Sequence, residues 1–389
     1  MNVVRFFIVI LYVFVIYSCA GVKKGINHFK SSDDTLVIRT QKHKEAGLFA
    51  LGAMSPVFRN PDDTVFVHAV IFPKQLLNVS RFQAPVDFRQ KQPEYVDVLK
   101  ATENGREIFI IDSNNNHDFT DDTFHPIEQL EWYSDENAVQ HSFLIYNGKE
   151  IVKDSSWIDI GTDRGNLFYR KNEHLTASFR IGKDDYKIGI ADPRNPLTFA
   201  YSERSEIALL ANNRHIKDTL LLKDKVTIGQ FIKLGQNHYK IEKISNNGEY
   251  LTLIRDDDFE KKTGLQLGMN APAFKGIAVN GSEVNSADMH NKVTIIVNSC
   301  GCGGDTASAK AYYDILEKYG DAINVIRLDS KIEKGLRGMQ IDVSEEPNKD
   351  FYNTYRGEYC SRMCFVIDSN NKVIDIFEGQ DWKSFPVKI

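Results

Sequence analysis

Hydrophobic residues recur at every second position, in short runs, through the first two thirds of the chain. Segments 64–72, 107–111, 141–146, 175–181 and 186–190 combine this alternation with β-branched and aromatic residues, the pattern of half-buried strands. Turn formers separate the runs, as in Asn147-Gly148 and Asn246-Asn247-Gly248, residues that accept the positive φ of tight hairpin turns. The runs 238–245 and 249–254 flank the second of these turns and predict a hairpin. No stretch of 35–259 carries the 3.6-residue period of a long amphipathic helix. A β-rich region is therefore expected there, a sandwich or barrel-like domain, or two small ones.

The charged run Arg255-Asp256-Asp257-Asp258-Phe259-Glu260-Lys261-Lys262 reads as a solvated linker or hairpin end. Beyond it the period changes. Residues 293–298 form an apolar strand, and 306–319 a helix with Ala307, Ala311, Ile315, Leu316 and Tyr319 on one face. Residues 323–328 form another strand, and 365–367 with 373–377 a hairpin around Asp368-Ser369-Asn370-Asn371. Strand, helix, strand and hairpin make an α/β unit. The expected class is α+β and multidomain: a β-rich region over 35–259, then an α/β domain over 264–389.

Residues 6–16 are uniformly apolar, but the run is shorter than the roughly 20 residues a helix needs to span a bilayer. Arg5 precedes it and Ile16-Tyr17-Ser18-Cys19-Ala20 ends it, which fits the apolar core of a secretory signal. That ending resembles the lipobox of bacterial lipoproteins, with a branched apolar residue three before the cysteine and a small one just before it. The resemblance implies a signal peptide over 1–18, acylation of Cys19, and a polar tether over 19–34 containing Lys23, Lys24, Ser31, Ser32, Asp33 and Asp34. It also implies a lipid-anchored location in the cell envelope; Ala20, in place of an inner-membrane retention Asp, favours the outer membrane facing the periplasm. The other reading is a core or anchor helix that happens to contain a cysteine.

Composition changes this picture little. The chain is 42% hydrophobic and 26% charged, ordinary for a folded protein. Its net charge of −5, with no basic stripe, gives no electrostatic case for nucleic acid. Cysteine changes it more, because disulfides persist outside the cytoplasm. Setting Cys19 aside leaves Cys300, Cys302, Cys360 and Cys364 of the 5 cysteines, all near the C-terminus.

Around these thiols the sequence resembles the thioredoxin superfamily, in particular membrane-anchored thiol–disulfide oxidoreductases and the alkyl hydroperoxide reductase/thiol-specific antioxidant (redoxin) group. Gly268-Met269-Asn270-Ala271-Pro272-Ala273-Phe274 matches the Gly-x-x-Ala-Pro-x-Phe opening of those domains. Val279-Asn280-Gly281, the strand 291–298 and Phe365-Val366-Ile367-Asp368 follow in the family's order. The resemblance implies a thioredoxin-like domain that acts on protein thiols or disulfides of the envelope and requires no cofactor. It places Cys302 at the attacking position. Asp305 stands where the second Cys of Cys-x-x-Cys belongs, and an extra thiol gives Cys300-Gly301-Cys302. Counting back from Asp368, Arg362 takes the place of the family's cis-proline.

Several roles for the thiols stay open. A thiol at a helix N-terminus is favoured as thiolate, the nucleophilic form, and Gly301, Gly303 and Gly304 leave Cys302 approachable. Cys300 or Cys360 would then resolve the mixed disulfide, and Arg362 would add positive charge. Alternatively the four cysteines form two structural bridges. A Cys₄ metal site is a third reading, although the spacings Cys-x-Cys and Cys-x₃-Cys are irregular for zinc. His290 reads as a surface residue rather than a ligand. The leading expectation is an envelope thiol–disulfide oxidoreductase. Its competitor is a non-catalytic lipoprotein with a disulfide-stapled scaffold and a β-rich binding domain. A peroxidase would use Cys302 alone, but the Pro/Thr-rich approach of that group is missing.

One motif stands apart. Asp112, Asn114, Asn116 and Asp118 place oxygen at every second position, like the first half of a calcium loop. His117 stands at the glycine position and Thr123 where a bidentate Glu belongs, with Asp121 or Asp122 as substitutes. Asx-rich turns adopt similar patterns without metal.

Overall fold

A computed structural model describes residues 34–49, 55–56, 58–59, 69–85, 95–128, 138–163, 166–192, 200–210, 220, 222–300, 305–336, 338–356 and 362–384. Cys19, Cys302 and Cys360 lie outside these residues, as do positions 1–33, 64–68, Gly301, Gly303 and Gly304.

Among the described residues the β-rich region contains two main apolar cores, each closed between two antiparallel sheets, with two smaller clusters beside them. In the first, strands Leu77–Pro85, Tyr95–Glu103 and Arg106–Ile111 belong to one sheet, and Val139–Tyr146, Ile151–Asp163 and Asn166–Lys171 to the other. Val96, Val98, Phe109 and Ile111 meet Phe143, Ile158, Ile160 and Tyr169 between them. In the second, Glu173–Ile181, Asp184–Ala191 and Glu206–Leu209 face Asn237–Ile244 and Tyr250–Asp256. Leu175, Ala177 and Phe179 point inward by strand alternation. No α-helix occurs among the described residues before Thr306.

The expected hairpin is present as Asn237–Ile244 and Tyr250–Asp256. Its turn requires glycine at 248: φ is +75°, and a Cβ would lie 2.6 Å from Leu175 and 2.8 Å from Tyr201. The first strand, Thr35–Arg39, pairs antiparallel with the last, from Thr35↔Ile254 to Arg39↔Tyr250. The start and finish of the β region thus adjoin.

Of the two readings of the charged run, hairpin end holds at its start, and the rest is not simply a solvated linker. Arg255 and Asp256 complete a strand. Phe259 is buried and stacks on His238 with ring centroids 3.8 Å apart. Charge density concealed one anchoring aromatic.

The C-terminal unit has a five-stranded sheet in the order Met339–Asp342, Asn324–Asp329, Thr294–Asn298, Met363–Ile367, Val373–Glu378. The first three strands are parallel and the last two antiparallel. Every residue of Thr294–Asn298 is buried, as a central strand covered on both faces requires. Helix α1 (Thr306–Tyr319) covers one face through Ala311, Tyr312 and Ile315. Helix α2 (Lys349–Tyr355) covers the other through Phe351 and Tyr355, packed against Phe274 and Phe365. Leu316 and Tyr319 pack half-buried against the same core, as expected, and the buried face of α1 also includes Ser308 and Tyr312, which hydrophobicity alone did not mark. Ser308 is accommodated because its hydroxyl donates to Asp305 O at 3.0 Å.

Candidate functional site

The central strand, helix α1 and the strand Met363–Ile367 converge at Asp305. This residue is the N-cap of α1, its carboxylate accepting from Ala307 N at 3.1 Å. Oδ2 of the same carboxylate accepts from the Cys300 backbone N–H at 3.0 Å and from Arg362 Nε at 2.7 Å. One buried carboxylate therefore ties the end of the central strand, the start of the helix and the loop before the next strand into one unit. Burial raises the cost of its charge. The Arg362 guanidinium, the Cys300 amide and the other donors outweigh that cost, so its pKa lies below the usual carboxylate range. The reciprocal hydrogen bond to Asp305 holds Arg362 above its ordinary value.

Asn298 fixes the loop on the other side. Its Nδ2 donates to Tyr355 O at 2.6 Å and to Met363 O at 2.7 Å, joining the end of α2 and the residue after Arg362 to the central strand. No cis peptide bond occurs among the described residues. At position 362 the chain presents a partly exposed side-chain cation.

Of the sequence-predicted site residues, the structure brings Cys300 and Arg362 together through Asp305. Cys300 is partly exposed and Arg362 is close enough to feel its charge. Cys302 and Cys360 lie outside the described residues. Cys364 is a free thiol with no exposed surface, and its sulfur donates to Arg362 O at 3.4 Å. Burial pushes its pKa up to about 12, which disfavours the nucleophilic thiolate at this position. Asp305 was visible in the sequence only as a missing cysteine. An Asp directly before Thr-Ala-Ser at a helix start was nevertheless a legible cap signal.

The loop after strand Arg106–Ile111 is held by its own side chains. Asp112 accepts from Asn116 N at 3.0 Å and His117 N at 2.8 Å. Asn114 and Asn116 both donate to Asp121 Oδ2, at 3.1 and 3.0 Å. Asp118 accepts from Thr120 N and Oγ1. His117, sixth counting from Asp112, has φ +65°, the turn for which calcium loops use glycine. The sequence missed Asp97. It groups with Asp112 and His117 while Arg81 grips it with two bonds of 3.1 and 2.9 Å.

A cavity of about 720 Å³ lies between the β region and the C-terminal sheet, walled by Phe231, His238, Phe259, Leu265, Met363 and Phe365; no cysteine lines it.

No protein-family description matches the chain, and no curated protein matches it in sequence. Among solved structures, the chain is similar to the thioredoxin domain of a thiol-disulfide oxidoreductase from Bacteroides vulgatus. The identity is 18% and the TM-score 0.26, over 31% of this chain and 95% of that one. A thiol:disulfide interchange protein of the thioredoxin family from Chlorobium tepidum gives 16% and 0.23, over 30% and 91%. The mitochondrial 2-Cys peroxiredoxin from Plasmodium falciparum gives 15% and 0.22, over 29% and 82%. At these scores the likenesses carry no weight beyond being noted.

Proposed function

We propose that the C-terminal unit is a thioredoxin-like thiol–disulfide exchange domain of an envelope lipoprotein anchored through Cys19. In this reading Cys302 is the attacking thiol and Cys300 or Cys360 the resolving one. The observation that carries it is the convergence of Cys300, Asp305 and Arg362 at the start of α1. A helix N-terminus and a guanidinium both favour thiolate over thiol there. Asp305 takes over the structural work at the second position, anchoring strand, helix and loop where a second cysteine would stand. Partners are protein thiols or disulfides. The anchor rests on the apolar run and Ser18-Cys19-Ala20.

The deciding experiment is alkylation of the full chain before and after mild reduction, read by intact mass. A pair of thiols that cycles under mild reductant, and is lost in Cys302→Ser, is expected. Thiols that never change state under mild oxidant and reductant would leave the domain as a scaffold. Metabolic labelling with a fatty-acid analogue, lost in Cys19→Ala, tests the anchor.

A second reading concerns the loop at 112–122. We infer that it binds calcium through Asn114, Asn116, Asp118 and Asp121, with Asp112 shaping the turn. The alternation of Asp112, Asn114, Asn116 and Asp118 and the positive φ at His117 favour it. Calcium should raise the melting temperature above that in chelator, and Asp121→Asn should abolish the difference. Equal melting in calcium and chelator would leave the loop as an Asx turn.

A further inference from the structure

Arg362 has hydrogen-bonding capacity to spare beside the cysteine stretch. Only its Nε is engaged, with Asp305 Oδ2 at 2.7 Å, and 33% of the side chain is exposed. Its two terminal nitrogens meet no acceptor among the described residues. Asp305 does not cancel its charge outright. The same carboxylate also serves the Cys300 and Ala307 amides and caps the positive end of α1. Glu378, the other carboxylate whose field reaches Arg362, accepts from Gln380 Nε2 at 2.9 Å. Arg362 Nε and the Cys300 amide share one Asp305 oxygen, which places the guanidinium beside Cys300.

We propose that Arg362 is an anion subsite, and that the preferred substrate is a disulfide carrying a carboxylate a few bonds from its sulfur. This rests on the thiol-exchange reading above. The protein thiolate attacks the near sulfur of the substrate and forms a protein–substrate S–S bond. The substrate's own S–S bond breaks, and its far sulfur leaves as a thiolate with the bonding electron pair. Arg362 Nη1 and Nη2 hold the substrate carboxylate during that attack, a planar fork matched to a planar acceptor. A proline at this position would offer no donor at all. The same carboxylate chemistry is found on a small peptide disulfide and on an acidic residue flanking a protein disulfide.

The test is a charge series of near-isosteric disulfides, namely 3,3′-dithiodipropionate, its neutral diamide and cystamine. Each is reacted with the reduced full chain at fixed pH, with adduct formation read by quenched intact mass. The wild type should favour the dianion over the diamide by roughly five- to tenfold, the size of one charge-assisted contact at a part-exposed site. Cystamine should be slowest. Arg362→Gln should bring the dianion-to-diamide ratio to about one, Arg362→Lys should retain much of it, and added salt should shrink it. Oxidised glutathione and a bridged peptide with an acidic flank, run in parallel, separate the two sources by which depends more on Arg362. A ratio near one in the wild type, or an unchanged ratio in Arg362→Gln, overturns the subsite and leaves thiol exchange standing. No reaction with any of the three probes overturns thiol exchange itself.

Discussion

Replacing Asp305 by Ala removes three contacts at once from a residue only 6% exposed. The helix cap to Ala307 is worth about 1 kcal/mol. The Cys300 amide and the Arg362 Nε then lose a shared acceptor, and a charge-assisted bond to a half-buried partner adds about 1–2 kcal/mol. The expected loss is about 2–3 kcal/mol, or roughly 6–12 °C in melting temperature for a domain of this size. Asp305→Asn keeps one oxygen, enough for the cap to Ala307 but not for the Cys300 amide and Arg362 as well, so it should cost about half as much. The two variants also separate by pH. The Asp305 carboxyl is held below its unfolded value, so its contribution is complete above about pH 4 and is lost as pH falls through the folded pKa. Wild type should therefore converge on Asp305→Asn in acid, while Asp305→Ala stays below both. Urea unfolding by circular dichroism, with amide exchange at α1 as a local reading, measures this. An Ala variant within 0.5 kcal/mol of wild type, or equal to Asn at neutral pH, would refute the account of Asp305 as a three-way tie.

Two further predictions follow from burial. Cys364, whose pKa is pushed up to about 12, should resist iodoacetamide in the native protein at pH 8 and react on unfolding; native labelling at the rate of an open thiol would contradict its burial. His141 is fully buried, and both its ring nitrogens lack hydrogen-bond partners among the described residues. Burial, opposed only by Asp97, lowers its pKa to about 3. It folds neutral, so it costs stability as pH falls below its unfolded value of about 6.5, by about 2 kcal/mol at pH 5. His141→Leu should flatten the stability–pH curve between pH 7 and pH 5; an unchanged slope would show that other groups carry it.

Legibility in the sequence depended on how local the determinant is. The helix at 306–319 was readable to the residue because its cap and period lie within one segment. The hairpin around Gly248 was readable because its turn demands glycine. Contacts between distant positions were not. Asp305 and Arg362 are 57 residues apart, and nothing in either segment announces the other. Helix α2 spans 7 residues, too few for a period to show. Arg170 is buried inside the first sandwich with Asp159 at 2.7 Å and contradicts the alternation around it; a charge pattern read along one strand cannot foresee a counter-ion on the next.

The pairing of Thr35–Arg39 with Tyr250–Asp256 also governs how far the C-terminal unit stands from residue 34 along the chain. Arg255 N donates to Asp34 O at 2.8 Å, and within a few residues Lys262 O accepts from Asn270 N at the edge of the C-terminal unit. More than two hundred residues of β structure therefore form a side loop on the chain's path and add almost nothing to its span. If Cys19 is lipidated, a tether over 19–34 reaches at most about 55 Å when fully extended. The β region then acts as a bulky pendant, while the leash of the C-terminal unit is set by the tether alone. Lengthening that tether, rather than trimming the β region, is the change that would extend the domain's working radius above the membrane.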